Sequence, residues 1–179
     1  MTCIVGLVAD GRVHIGGDSA GVAGWDLRLR ADLKVFKNDG FLFGFTSSFR
    51  MGQLLRYSLQ IPKRHPDKDL MAYMATDFVD AVRNCLKSGG FASKNNDVEQ
   101  GGVFLVGHAG RLFRIESDYQ VGESRGDYDA CGCGESYACG ALFASAQTRM
   151  DPIDRVRQAL AAAEAHSAGV RSPFHIDVI

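Results

Sequence analysis

The order of the predicted elements favours an α+β protein in which helices cover antiparallel sheets. Two hairpins open the chain, with tight turns at Asp10-Gly11 and Asn38-Asp39-Gly40 that suit short connections between antiparallel strands. Two helices, further antiparallel strands, two more helices and a final strand follow. This grouping differs from the strand–helix alternation that predicts a parallel sheet. The 179 residues contain no linker, so residues 1–179 are expected to form one domain.

The strands are predicted from apolar or alternating runs bounded by turn residues. These runs cover residues 2–9, 12–15, 32–37, 41–45, 102–106, 111–115, 128–131 and 173–179. Residues 19–30 combine glycines with mixed charges, and residues 91–100 are polar. Both segments are therefore predicted to be loops.

The helices are predicted from apolar residues at helical spacing. One helix follows Ser48 or a near neighbour, and others cover residues 69–87, 136–150 and 151–166. Ser48 and Asp151 are suitable N-caps, and Pro152 fits the first turn of the last helix. The apolar stripe of the second helix is typical of core packing rather than of a cofactor site.

Composition and charge exclude several functions. A formal net charge of −1 gives no electrostatic basis for binding nucleic acid or an anionic membrane. No apolar run approaches the roughly 20 residues of a membrane helix, and charges and glycines interrupt the opening segment too often for a signal peptide. We therefore expect a cytoplasmic protein with no nucleic-acid or membrane partner.

Two short patterns resemble ligand sites without meeting their requirements. Cys131, Cys133 and Cys139 are close in sequence, but no histidine lies at ligand spacing and no second cysteine pair follows, so no metal site is predicted. The glycines of residues 102–110 lie in and between strands and open no helix, which argues against a nucleotide site. The sequence therefore predicts no cofactor.

The first 34 residues contain the groups of a possible reaction centre. If an aminopeptidase removes Met1, Thr2 carries both a hydroxyl and a free amine, whose ordinary pKa of about 8 suits a general base. An ammonium at Lys34 would disfavour charging of that amine and stabilise the Thr2 alkoxide. A carboxylate at Asp18 would prevent Lys34 from being an unpaired buried charge.

These residues resemble the N-terminal-nucleophile hydrolases, and within them the proteasome β-subunits and the bacterial HslV-like peptidases. The matching segments span about three quarters of the chain: Met1-Thr2, Gly16-Gly17-Asp18-Ser19, Leu33-Lys34-Val35-Phe36, Gly44-Phe45-Thr46-Ser47-Ser48 and Gly132-Cys133-Gly134. The resemblance implies a four-layer αββα sandwich, a threonine peptidase with Thr2 as nucleophile, and Asp18 and Lys34 as its supporting pair. It also implies stacked homo-oligomeric rings and a peptide or unfolded-protein substrate, and it leaves open a separate ATPase that unfolds the substrate.

Three positions depart from the family pattern. The oxyanion-stabilising backbone N–H, commonly of a glycine, corresponds to Ser47 or Ser48. The serine that usually lies between the later glycines is replaced by Cys133, whose thiol forms weaker hydrogen bonds than a hydroxyl. The supporting residues at the end of the last helix have no clean match, and His166, Ser167 and Ser172 are the candidates.

Two alternatives to the peptidase remain open at this stage. One is a small-molecule amidohydrolase that uses the same Thr2 centre, for which cleavage of short amides but not peptides would be diagnostic. The other is a structural or assembly protein that keeps the fold without turnover, as the departures at Ser47 and Cys133 permit. A retained Met1 would favour the second, because it converts the Thr2 amine into an amide.

Overall fold

The computed structural model describes residues 1–95 and 98–179 and has four layers in the order helix, sheet, sheet, helix. Its strands are β1 (Cys3–Ala9), β2 (Arg12–Gly17), β3 (Ala20–Ala23), β4 (Asp26–Leu29), β5 (Val35–Asn38), β6 (Phe41–Phe45), β7 (Ser93–Asn95), β8 (Val98–Gln100), β9 (Phe104–His108), β10 (Arg111–Ile115), β11 (Val121–Glu123), β12 (Tyr128–Gly132) and β13 (His175–Val178). The predicted α+β sandwich is therefore confirmed.

Two antiparallel sheets pack face to face in the centre. Within the described residues, one has four strands in the order β12-β1-β2-β13 and the other has five in the order β11-β10-β9-β6-β5. Alternate residues of each strand point between the sheets and form a core that includes Ile4, Val13, Ile15, Leu42 and Leu105. The opposite faces of both sheets remain apolar and require helices to cover them.

The helices form the two outer layers. Their bounds are α1 (Phe49–Tyr57), α2 (Leu70–Tyr73), α3 (Val79–Ser88), α4 (Glu135–Ser145) and α5 (Pro152–His166), with a π-helical turn (Met74–Phe78) joining α2 to α3. The first three helices pack on the five-stranded sheet, and α4 and α5 pack on β1 and β12. The side chains of Ser48 and Asp151 cap α1 and α5 as predicted. No helix in the described chain is long and apolar enough to cross a membrane.

Both predicted loops contain strands, so those predictions are wrong. Residues 19–30 include the hairpin of β3 and β4, and residues 93–100 include β7 and β8. β4 does alternate polar and apolar residues (Asp26–Leu29), but all four are exposed, and so short an alternation does not outweigh the surrounding glycines and charges. Residues 96–97 of the second predicted loop lie outside the described residues.

Several element ends also differ from the prediction. The strand predicted from residue 32 begins at Val35, because the backbone bends before it, although the Lys34 carbonyl still accepts a hydrogen bond from Phe45 N–H at 3.1 Å. The strand predicted at 102–106 begins at Phe104, β11 was not predicted, and α4 ends at Ser145 rather than at residue 150. The N–H groups of Ala146 and Thr148 donate to carbonyls three residues earlier, at Phe143 and Ser145, instead of four. These turns end the α-helix at Ser145.

Strand pairing brings four chain segments to one end of the sandwich. Cys3 at the start of β1 pairs with Gly132 at the end of β12, and Ile4 pairs with Gly17 at the end of β2. The end of β6 lies beside them, since Phe45 and Thr2 line the same cleft. Residues distant in sequence therefore meet around Thr2.

Candidate active site

Thr2 lies immediately before β1 and is only 5% exposed. Its Oγ1 donates a hydrogen bond to the Met1 carbonyl at 2.5 Å, and its backbone N–H donates to Cys133 Sγ at 3.3 Å. Gly132 permits this close packing: its φ is +103°, and a Cβ there would lie 2.2 Å from the Thr2 carbonyl oxygen. A side chain at residue 132 would therefore displace Thr2.

The Asp18 carboxylate directly follows β2 and accepts three backbone hydrogen bonds. Cys3 N–H donates to Oδ1 at 3.0 Å, while the N–H groups of Ala20 and Arg171 donate to Oδ2 at 2.9 and 3.3 Å. These donors come from β1, β3 and the segment after α5. Asp18 thus fixes three parts of the backbone around Thr2.

The Lys34 ammonium completes a buried ion pair with Asp18. Its Nζ donates to Asp18 Oδ1 at 2.8 Å and to the Ala20 carbonyl at 2.6 Å, and the Lys34 and Asp18 side chains are 1% and 0% exposed. Burial lowers the pKa of Lys34 and outweighs the opposing effect of Asp18. Asp18 Oδ1 contacts both Lys34 and the backbone of Cys3, the residue next to Thr2.

Cys133 contacts the main chain of Thr2 directly. Its thiol lies between β12 and α4, accepts hydrogen bonds from Thr2 N–H and from Ser167 Oγ at 3.3 Å each, and donates to the Thr2 carbonyl at 3.4 Å. Ser167 caps the C-terminus of α5, where its N–H donates to the Ala163 carbonyl. A chain of polar contacts therefore runs from Thr2 through Cys133 to Ser167.

The three candidates at the end of α5 occupy different surroundings. Ser167 contacts Cys133, whereas the His166 ring packs against Tyr137 with 5.4 Å between ring centroids. Ser172 hydrogen-bonds to Glu164. Of these three, the structure brings Ser167 alone into contact with the group around Thr2.

The sequence analysis missed two backbone features of the segment after α5. Arg171 holds Asp18 through its main-chain N–H, and Gly169 packs against Met1 and Cys133 because it has no Cβ, which would lie 2.8 Å from Cys133 Sγ. A main-chain contact places no requirement on the residue type. In the sequence, Gly169 is the one feature that could have indicated close packing of this segment.

An oxyanion site requires a backbone N–H that is free to donate, and Ser47 meets this requirement better than Ser48 does. The φ of Ser47 is +64°, and its Oγ accepts a hydrogen bond from Val103 N–H at 3.0 Å. Its own N–H has no partner within residues 1–95 and 98–179, whereas Ser48 N–H donates to the Thr46 carbonyl at 2.7 Å. Of the two serines, Ser47 therefore has the available N–H.

A cleft joins Thr2 to Ser47. Val22, Phe45 and Phe49 also line it, and the Phe45 ring packs where a Cβ on Gly52 of α1 would lie. Two aromatic side chains and a residue with a free main-chain N–H thus line the same cleft as Thr2. Within the described part of the chain, no group of three metal-ligating side chains is assembled.

The sequence matches no family model and no curated protein, but the fold matches solved structures. The BPH of Thiobacillus denitrificans, seen in one structure in complex with epoxomicin, superposes with a TM-score of 0.84 at 20% identity and covers 99% of this chain and 97% of its own. The eukaryotic HslV of Trypanosoma brucei gives 0.70 at 17% identity, covering 98% of both chains. The Gly-1 mutant of Anbu from Hyphomicrobium sp. strain MC1 gives 0.67 at 16% identity, covering 98% and 80%.

The chain has the proteasome-like N-terminal-nucleophile hydrolase fold. The resemblance inferred from short motifs is thereby confirmed at the level of the fold. At 16–20% identity the neighbours do not carry an activity over to this chain.

Proposed function

We propose that this chain is a threonine peptidase subunit that uses Thr2, after removal of Met1, to cleave peptide bonds inside a ring-shaped homo-oligomer. The observation that carries the proposal is the buried Lys34–Asp18 pair fixed to the backbone beside Thr2. Burying two charges costs several kcal/mol per ion before their attraction is counted. A stabilising core does not need such a pair, but a nucleophile that becomes an alkoxide does.

Removal of Met1 would change two groups at once. In the structure Thr2 N is an amide, and Oγ1 is engaged by the Met1 carbonyl. Without Met1 the nitrogen becomes an amine with a lone pair, and the hydroxyl loses its acceptor. The same cleavage therefore generates the base and frees the nucleophile.

The proposed reaction begins with transfer of the Thr2 hydroxyl proton to the Thr2 amine. Oγ1 then bonds to the peptide carbonyl carbon, and the Ser47 N–H stabilises the negative oxygen that forms. The C–N bond breaks as the Thr2 ammonium returns the proton to the leaving amine. Water, deprotonated by the same amine, hydrolyses the acyl ester and releases the second product.

Lys34 and Cys133 would both act on the amine. The Lys34 ammonium disfavours a second positive charge nearby and so keeps the amine available as a base. Cys133, hydrogen-bonded to Ser167, would orient the amine through its sulfur. In this role Cys133 and Ser167 are positioning residues.

Assembly and partners follow by analogy with the structural neighbours. HslV-like neighbours suggest a homo-oligomeric ring, and we propose stacked rings that enclose the Thr2 sites. The sequence contains no ATP-binding motif, so energy-dependent unfolding of a protein substrate would require a separate ATPase chain. We propose that the assembly works in the cytoplasm.

The test is the intact mass of the protein after exposure to epoxomicin, which one structural neighbour binds. This peptide epoxyketone requires both the hydroxyl and the free amine of an N-terminal threonine. We expect a chain without Met1 that carries one adduct and cleaves peptides, while Thr2→Ala stays folded and unmodified. Turnover by Thr2→Ala would exclude the mechanism.

The same experiment separates the alternative functions. A chain that keeps Met1 and forms no adduct would favour the catalytically silent protein. An adduct together with hydrolysis of short amides but not peptides would favour the small-molecule amidohydrolase.

A further inference from the structure

Cys133 differs from the other four cysteines in its exposure. Cys3 and Cys131 are buried, Cys85 and Cys139 are half-buried, and Cys133 is exposed. Burial raises the pKa of the thiols of all four others, which keeps them protonated and unreactive. A soluble oxidant would therefore reach and react with Cys133 first.

The groups around Cys133 couple this thiol to the proposed reaction centre. Sγ lies 3.3 Å from Thr2 N and 3.3 Å from Ser167 Oγ. A negative charge on Cys133 would also favour the Lys34 ammonium, whose pKa is lowered by burial and raised by the charges of Asp18 and Cys133. The thiolate is the form of a cysteine that oxidants attack.

We infer that Cys133 is a redox switch of the peptidase proposed above: a peroxide oxidises its thiol and blocks Thr2, and a thiol reductant restores activity. The inference rests on the proposed function. Because Cys133 touches the Thr2 nitrogen and is open to solvent, one modification reaches the base of the reaction without unfolding the chain.

The chemistry requires hydrogen peroxide and a thiol as co-reactants. The Cys133 thiolate attacks one peroxide oxygen, an S–O bond forms as the O–O bond breaks, and hydroxide leaves; sulfur is oxidised and peroxide is reduced. A dithiol then attacks the sulfenic sulfur, releases water and forms a mixed disulfide. Its second thiol displaces Cys133 as a free thiol and leaves the dithiol oxidised.

The added oxygen would act on the Thr2 amine. An oxygen bound to Sγ is a stronger hydrogen-bond acceptor than the sulfur 3.3 Å from Thr2 N. It would stabilise the protonated amine, which cannot accept the hydroxyl proton. Oxidation should therefore reduce turnover by about 100-fold, in the range that loss of a general base produces.

The experiment treats the full-length protein lacking Met1 with hydrogen peroxide, quenches with catalase, and measures peptide turnover, epoxomicin adduct and Cys133 labelling by dimedone. We expect turnover and adduct to fall together, one dimedone label at Cys133, and recovery with dithiothreitol. Cys133→Ser should change less than about twofold relative to its own untreated activity, because serine does not enter this oxidation series. Cys85→Ser, which removes a remote half-buried thiol, should remain peroxide-sensitive.

Two results would overturn the switch: wild-type turnover that survives peroxide, or a Cys133→Ser variant that loses activity as the wild type does. Failure of the proposed function gives a different result. In that case the reduced protein forms no adduct before any peroxide is added, whereas dimedone still reports whether Cys133 oxidises selectively.

Discussion

Two parts of the site around Thr2 differ in burial: a buried side formed by Lys34 and Asp18, and an exposed side formed by Cys133. On the buried side, the side chains of Lys34 and Asp18 are at most 1% exposed and are joined by contacts of 2.6–3.0 Å to each other and to Cys3 and Ala20. On the other side the exposed Cys133 makes three contacts of 3.3–3.4 Å. Short charge-assisted bonds in a dry environment fix geometry strongly, whereas long bonds to sulfur fix it weakly. Substitutions on the buried side should therefore strongly reduce stability and activity, whereas substitutions on the exposed side should have smaller effects.

Lys34→Ala should have the largest effect, on both stability and activity. It leaves the Asp18 carboxylate buried without its cation, which should lower the free energy of unfolding by about 3–5 kcal/mol. It also removes the charge that stabilises the alkoxide, so kcat should fall at least about 100-fold. Urea denaturation and peptide turnover measure the two effects separately.

Lys37→Ala is the matched control for this prediction. Lys37 forms an ion pair with Asp177 at 2.8 Å, but the two side chains are 48% and 31% exposed. Its loss should cost no more than about 1 kcal/mol and leave kcat unchanged. Equal effects of the two substitutions would show that burial does not distinguish the Lys34 pair.

The pH dependence of activity should reveal the lowered pKa of Lys34. Burial moves that pKa below its ordinary value of 10.5. As the pH rises, the ammonium should therefore lose its proton, and the enzyme its activity, with a midpoint below pH 10.5. Between the folded-state pKa and 10.5 the unfolded chain holds a proton that the folded chain lacks. In this window Lys34 therefore makes the free energy of unfolding rise with pH.

The pH experiment thus separates loss of charge from unfolding, because the two change in opposite directions. Activity and urea stability are measured over the same alkaline range. Lys34→Arg, which stays charged throughout, should lack this alkaline decline in whatever activity it retains. A decline of the same midpoint in Lys34→Arg would assign it to another group.

Ser167→Ala tests the exposed side and should have a moderate effect. Removing the hydroxyl deprives Cys133 of one hydrogen bond worth about 1 kcal/mol, so kcat/KM should fall about five- to tenfold. His166→Ala and Ser172→Ala, which remove side chains without contact to Cys133, should change it less than twofold. The prediction fails if Ser172→Ala is as damaging as Ser167→Ala.

Sequence predicted the buried side of the site better than the exposed side. Thr2, Asp18 and Lys34 were found because an ionisable pair has few roles beside an N-terminal threonine, and the structure does bring them together. Ser167 could not be separated from His166 and Ser172, since all three lie near the end of α5. Their distances to Cys133 depend on how the chain turns after α5, which no local pattern specifies.

The fold divides in the same way. Elements that contribute to the core, such as the buried strand β1 and the helix α5 with one apolar face, were predicted nearly to the residue, because burial dictates their apolar pattern. The exposed hairpin of β3 and β4 was missed, although it supplies Val22 to the cleft. Hydrophobic patterning reports burial, and part of the cleft is formed where burial is low.

Ser47→Gly should have the smallest effect and would define what residue 47 contributes. Glycine relieves the positive φ of +64° but removes the Oγ acceptor of Val103 N–H. These opposing changes are each worth about 1 kcal/mol, so the net change in unfolding free energy should be under about 1 kcal/mol. The main-chain N–H is preserved, and kcat should stay within about threefold.

Ser47→Ala sharpens this last comparison, because alanine also lacks the hydroxyl but keeps the cost of a positive φ. It should be about 1 kcal/mol less stable than Ser47→Gly in urea and have similar kcat. If both variants instead lose more than about 100-fold in kcat, the Ser47 hydroxyl rather than its N–H is the functional group. The oxyanion would then depend on a side chain, and the exposed side of the site would be as sensitive to substitution as the buried side.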